Sequence, residues 1–293
     1  MAEHQFTEAE IIPRTFLFDL WAVPIASRHV VMKTFEQLGF RGRLIAVEGI
    51  DGSGKSTQIY LLKRWMELQG LKVFFSEWNS SVLVKAATSK GKRRELLSPT
   101  TFSLIHATDF ADRYERQLLP LLKAGYIVLC DRYIFTAFAR DTVRGCPPEW
   151  VRGIYDFAAL PDMTFFFKAP LETSLGRILE GRPEWFRGIY DFAALPDMTF
   201  FFKAPLETSL GRILEGRPEL KYFEAGMDLR LSPDITESFR IFQGRILEQY
   251  LAMSTEFKFH IVDASQQIEP QQALVRDLVS SFVPLDQFRR EKA

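Results

Sequence analysis

Cysteine is nearly absent: Cys130 and Cys146 are the only two in 293 residues. Two thiols cannot build a disulfide framework or a four-thiolate zinc site, and Cys130, inside an apolar run, reads as a small core residue. Net charge is absent too. Lys plus Arg and Asp plus Glu each number 37, so no global field draws the protein toward nucleic acid or an anionic membrane. The densest basic run, "SKGKRRE" around Lys90 to Arg94, is short and reads as a solvated loop. Long apolar runs are missing as well. "TFLFDLWAVPIAS" is broken by Asp19 and Pro24 and is too short to span a bilayer. The opening "MAEHQFTEAE" lacks the positive residues of a secretory signal. A soluble, cytoplasmic protein without nucleic-acid or membrane partners is the expectation.

What is present is the material of a packed core, with 47% hydrophobic and 25% charged residues. Residues 1–41 read as an extension in which "RHVVMKTFEQLGF" has the pattern of an amphipathic helix. From residue 42 to 293 strand-like and helix-like segments alternate. "RLIAVEG", "LKVFFSEW", "YIVLCDRY" and "FKFHIVDA" are apolar strands. "KSTQIYLLKRWMELQG" is a helix with Ile59, Leu62 and Met66 on one face and Gly70 as its stop. A long helix opens with Ser98 as N-cap and Pro99 in the first turn, carries Phe102, Ile105, Phe110 and Tyr114, and is bent or ended by Pro120. "PQQALVRDLVSSFV" is a closing helix. Apolar strands alternating with helices predict an α/β domain, a parallel sheet covered on both faces.

Directly after the first strand stands "EGIDGSGKSTQ", in which Gly49 to Ser56 fit G-x-x-x-x-G-K-[ST]. Gly49, Gly52 and Gly54 let the backbone of Gly49, Ile50, Asp51, Gly52, Ser53, Gly54, Lys55, Ser56 and Thr57 curl so that N–H groups face phosphate oxygens. The helix starting near Lys55 adds the positive end of its dipole. Lys55 can reach the β- and γ-phosphates of ATP, and the Ser56 hydroxyl can ligate Mg²⁺. The strand "IVLCD" delivers Asp131 to its carboxyl end, where open α/β sheets bind ligands. Asp131 can hold Mg²⁺ directly or through water, and Arg132 beside it can clamp a phosphoryl group.

With "EGIDGSGKST", "DRY" at Asp131 to Tyr133, "LPDMTFFF" ahead of an arginine-bearing helix, and "FHIVDASQQIEPQQALVRDLV" near the end, the chain resembles the thymidylate kinase family of nucleoside monophosphate kinases. The resemblance implies a P-loop three-layer α/β/α sandwich with a mobile lid, and ATP, Mg²⁺ and a deoxynucleoside monophosphate as reactants. It implies a homodimer as well. Lys55 and Ser56 would serve the donor phosphates and metal, Asp51 the acceptor phosphate and its Mg²⁺, Asp131 and Arg132 metal and phosphates. Glu77 matches the acid of the family's Arg-Glu-Pro segment. Three departures concern the base pocket. Ser76-Glu77-Trp78 stands for Arg-Glu-Pro; Phe110 falls where an Arg meets the thymine ring, with Arg113 one turn later. Ala137 and Arg140 occupy positions near the base that are commonly polar, Tyr or Gln. Trp78, Phe102, Phe110 and Phe138 are further candidates to stack on a base.

One passage occurs twice. Residues 152–184 and 187–219 are identical, and each copy reads helix, strand, helix. Two flawless copies inside an otherwise non-repeating domain are not a solenoid; one copy should occupy the sheet, with the first favoured, and the other is surplus. The lid arginines are therefore Arg177 and Arg182, or Arg212 and Arg217, with Arg230 as a further candidate. The surplus copy's "MTFFF" would be an unpartnered apolar strand, or would pair by exchange with a second molecule. The resemblance implies an ATP- and Mg²⁺-dependent nucleoside monophosphate kinase acting on dTMP, with an atypical base pocket. The rivals are a deoxynucleoside kinase with Glu77 as general base and a nucleotide-binding module without catalysis.

Overall fold

The computed structural model describes residues 33–179 and 220–290. Five strands form one sheet: β1 (Arg43–Glu48), β2 (Val73–Glu77), β3 (Ile127–Asp131), β4 (Met163–Lys168) and β5 (His260–Asp263), in the order β2-β3-β1-β4-β5. Every neighbouring pair is parallel. Parallel strands need crossover connections, and helices supply them: α1 (Lys55–Leu68), α2 (Lys85–Arg93), α3 (Pro99–Arg113), α4 (Leu119–Lys123), α5 (Ile134–Val143), α6 (Pro148–Ile154), α7 (Leu171–Leu179), α8 (Ile235–Glu256) and α9 (Ile268–Phe282). Among the described residues no helix is long and apolar enough to cross a membrane.

The alternation of side chains along a strand divides the core in two. Ile45 and Val47 of β1 face a cluster with Ile59, Leu62 and Met66 of α1 and Val275 and Val279 of α9. Phe166 of β4 turns the other way and stacks on Tyr250 of α8 at 5.2 Å. Both cysteines are free and buried, and burial pushes the Cys130 thiol up to about 12.

Helix α3 begins as its sequence dictates, with the Ser98 hydroxyl accepting the Thr101 N–H at 3.3 Å. It does not stop cleanly at Pro120. A π turn over Tyr114–Leu118 leads into α4, which carries Pro120 near its start, where a missing N–H does least harm.

The stretch ahead of β1 departs from expectation. Over its described part "KTFEQLGF" is a β-bridge and a turn, not a helix. Thr34 and Gln37 bond each other reciprocally, and the Asp162 carboxylate accepts N–H groups from Glu36 and Leu44, both at 2.7 Å. Those local bonds outcompete a helical ladder. Phe35 is fully buried, edge-to-face on Phe40, so residues from Lys33 onward are part of the compact unit.

The fourth strand, Met163–Lys168, comes from the first copy of the repeated passage. The second copy, and with it the expectation of an unpartnered or exchanged strand, lies outside the described residues. No described element draws on residues 185–219. A chain lacking those 35 residues is expected to melt within about 2–4 °C of the full chain, the shift that about 1 kcal/mol produces at this size. Differential scanning calorimetry checks this, and a larger fall would mean that the second copy holds the fold.

Candidate active site

The carboxyl end of β1 runs into the phosphate loop, flanked by the ends of β3 and β4. Gly52 has φ +78°, and a β-carbon there would meet the Ser174 carbonyl of α7 at 2.2 Å. Only glycine allows that approach. Gly54, also left-handed, caps α1, so the loop's N–H groups lead straight into a helix N-terminus.

Side chains from four elements converge on Asp51. Arg132 forms a short ion pair with its Oδ1. Arg140 of α5 reaches Oδ2 at 2.7 Å, Gln243 of α8 donates to the same oxygen at 3.2 Å, and Lys55 Nζ stands 3.9 Å from Oδ1. Burial alone would raise the Asp51 carboxyl, but Arg140, Arg132 and Lys55 outweigh it and hold the group well below the usual carboxylate range. Lys55 is buried, and desolvation together with Arg132 lowers its ammonium to about 8. Arg132 sits at φ +73°, a left-handed conformation for a bulky residue that the surroundings must impose. Its N–H bonds the Val47 carbonyl at 3.0 Å, and its guanidinium reaches Gly49 O and Thr136 Oγ1, both at 3.4 Å.

Behind the loop lies Glu48, fully buried at the end of β1. It accepts from the Tyr133 N–H at 2.8 Å, Thr136 Oγ1 at 2.7 Å and the Tyr250 hydroxyl at 2.8 Å. Burial raises its carboxyl above the ordinary value, with the bonds from Thr136 and Tyr133 and the charge of Arg132 pulling the other way. Sequence reasoning misses all four residues: Gln243 and Tyr250 lie on α8, which no sequence pattern above marks as a helix, while Glu48 of β1 and Thr136 of α5 carry no motif of their own. The signal for α8 was the capping pair Asp234 and Glu237, whose bond from the Glu237 N–H to Asp234 Oδ1 is 2.7 Å.

Ser56 Oγ donates to Asp131 Oδ2 at 2.7 Å, and Asp131 Oδ1 is buried with no hydrogen-bond partner. A hydroxyl beside a carboxylate with an idle oxygen fits Mg²⁺, which takes one or two protein ligands and completes its shell with phosphate and water. Asp51, also expected at the metal, spends its oxygens on Arg132, Arg140 and Gln243.

The acceptor side differs more from expectation. Glu77 ends β2 as the register partner of Asp131 and is exposed. Phe110 is fully buried among Tyr114, Tyr133 and Tyr155, so it is a core residue and not a stacking surface. Phe102 and Phe138 are buried too; of the four candidate aromatics only Trp78 keeps exposed surface. Arg113 is buried, bonded to Asp109 and the Ser76 hydroxyl at 2.9 Å each, while its Nη2 has no partner. Arg140 is paired with Asp51. Arg177 belongs to α7, but its side chain, like Arg182, Arg212 and Arg217, lies outside the described residues. Arg230 is exposed beyond a short 3₁₀ turn.

The family model for thymidylate kinase matches residues 47–189. The chain is similar to the probable thymidylate kinase 2 of Saccharolobus solfataricus, 37% identical over 244 residues that cover 83% of this chain and 98% of that protein. It is also similar to the probable thymidylate kinases of Pyrococcus abyssi, 34% identical over 47% of this chain and 70% of that protein, and of Pyrococcus horikoshii, 32% identical with the same coverage.

A depressed carboxyl stabilises the fold above its ordinary pKa, near 3.8 for Asp51, and that stability drains away as the pH falls below it. Melting temperature measured from pH 6 to pH 3 should therefore fall more steeply for the wild type than for Asp51→Asn. Parallel curves would show that the cations around Asp51 contribute no net stability.

Proposed function

This chain belongs to the thymidylate kinase family, and from that premise we propose that its site transfers the γ-phosphoryl group of ATP to dTMP, giving ADP and dTDP. The observation that carries the reading is the convergence of Lys55, Arg132 and Arg140 on the single carboxylate of Asp51 at the mouth of the phosphate loop. Three cations around one anion leave positive charge for phosphates, and phosphoryl transfer is mostly a matter of placing such charge where it develops. Loop N–H groups and Lys55 would hold the donor phosphates. Ser56 and Asp131 would hold Mg²⁺, which neutralises phosphate charge when bound. Asp51 keeps Arg132 and Arg140 aimed at the space between donor and acceptor, while the Glu48 network keeps the loop's floor rigid. Trp78, which keeps exposed surface, is the group offered to the base. Family membership is also the ground for expecting a cytoplasmic homodimer.

Purified protein with ATP, Mg²⁺ and a panel of monophosphates and nucleosides is expected to release ADP with dTMP fastest. Turnover on thymidine alone would move the reading to a nucleoside kinase, and silence from a folded, ATP-binding protein would favour a non-catalytic module. Lys55→Ala should abolish turnover while circular dichroism stays unchanged; a wild-type rate would remove the loop lysine from the mechanism. Arg132→Ala should lower kcat about a hundredfold or more, the size of losing one donor to a developing oxyanion, with a smaller change in KM for ATP. A change confined to ATP affinity would make Arg132 a binding residue only.

A further inference from the structure

Gln243 lies in the middle of α8 and is fully buried. A primary amide taken out of water needs a partner for each of its donors, and the two on Gln243 Nε2 serve different parts of the chain. One meets Asp51 Oδ2 at 3.2 Å, and the other meets the Glu224 carbonyl at 2.9 Å. Its Oε1 faces the Asp51 N–H at 3.4 Å. The amide can be turned only this way, because the Asp51 carboxylate and the Glu224 carbonyl are both acceptors.

Glu224 belongs to residues 220–229, the stretch that leads toward α8, and that stretch is built to keep its place. Ala225 is fully buried, and its carbonyl accepts the Ser238 hydroxyl at 2.7 Å. Gly226 has φ +66°, and a β-carbon there would meet the Phe242 ring at 2.6 Å. Arg144, which caps α5, donates to the Phe223 carbonyl at 2.8 Å and pairs with Asp228 at 3.0 Å. Its guanidinium lies against the rings of Phe102 and Phe242, 4.2 and 4.7 Å from their centroids.

Arg140 stands one helical turn before Arg144 and holds Asp51 Oδ2. The phosphate loop and residues 220–229 are thus tied together twice. One tie runs through α5, with Arg140 at the loop and Arg144 at the stretch. The other is the side chain of Gln243 by itself. The direction in which the Asp51 carboxylate faces decides where Arg132 and Arg140 point, and small errors of aim are costly in a transfer that depends on placed charge.

We propose that Gln243 is a positioning residue for phosphoryl transfer. It fixes the Asp51 carboxylate against residues 220–229, so that Arg132 and Arg140 keep their aim and a change at the loop is felt at Glu224. The effect on rate rests on the monophosphate kinase reading, whereas the coupling rests on the hydrogen bonds themselves.

Steady-state kinetics with ATP and dTMP, and amide hydrogen exchange with and without ATP, test the two halves on wild type, Gln243→Leu and Gln243→Glu. Gln243→Leu keeps the bulk and loses the bonds. Its kcat should fall about tenfold or more, the size of a lost hydrogen bond to a charged group. KM for ATP should stay within about twofold, since the loop N–H groups and Lys55 are untouched. Gln243→Glu, which sets a second carboxylate against Asp51, should be at least as slow. The amides of Ala225 and Met227, bonded to the Lys221 and Tyr222 carbonyls, should exchange more slowly in the wild type when ATP is bound, and both variants should lose that response. An unchanged kcat in Gln243→Leu, or a loss confined to KM, would overturn the positioning role even where the melting temperature drops. An ATP response equal in wild type and variants, or absent from the wild type, would overturn the coupling. If Gln243→Leu does not fold, Gln243→Glu, closest to the native side chain in shape, carries both measurements. If the wild type turns over no monophosphate, the kinase reading fails on its own and the exchange data still decide about Gln243.

Discussion

A carboxylate removed from water survives only if cations and donors replace its hydration, and Asp51 is where this molecule meets that demand. Burying a charge costs several kcal/mol, and four elements contribute to offsetting it here. Lys55 comes from the start of α1, Arg132 from the end of β3, Arg140 from α5 and Gln243 from α8. None of these residues is near another in sequence except Asp51 and Lys55. The phosphate loop, the switch from β3 into α5 and the long helix α8 are therefore held in mutual register by one anion. Even the left-handed backbone at Arg132 follows from it, since strain on the order of 1–3 kcal/mol is tolerable when the side chain it directs is doubly engaged.

Glu48 has the opposite electrostatic character three positions earlier. Its surroundings are hydroxyls and an N–H, with the charge of Arg132 acting on it as well. The result is a carboxyl whose proton is easier to keep, with three hydrogen bonds tying β1 to α5 and α8. One carboxylate gathers charge for the ligand, and the other braces the frame behind it. Replacing either by an apolar residue would leave partners from two helices unsatisfied, which is the expensive kind of loss.

The parallel sheet was legible because each strand is a continuous apolar run, and the loop because its glycines, lysine and serine stand between a strand and a helix. All five strands and the helices α1, α3 and α9 lie where periodicity and caps place them. What failed shares one cause: the decisive partner is remote in sequence. Asp162 turns residues 33–40 away from helix from 126 positions off. Phe110 reads as a ligand surface until Tyr133 and Tyr155 close over it. Arg140 has no partner legible in the sequence, and Asp51, 89 positions away, supplies one. Lys92 looks like one more solvated charge in a basic run, and only the packing of α2 against α3 draws it inward. Composition carries the core, and tertiary contacts decide which polar residues are spent on it.

The strand order has a consequence for how the chain comes into being. β1 is the first of the described strands to be synthesised yet lies at the centre of the sheet, and β2, the next of them, is not its neighbour. Its partners are β3, which starts at Ile127, and β4, which starts at Met163. At about 5–20 residues per second, the apolar "LIAV" of β1 waits several seconds on the ribosome before either partner emerges. During that interval both of its edges are open for pairing. A protein whose phosphate loop hangs from a central strand thus exposes an apolar, unpaired segment early in its synthesis, and among the described elements the helix α1 follows it at once.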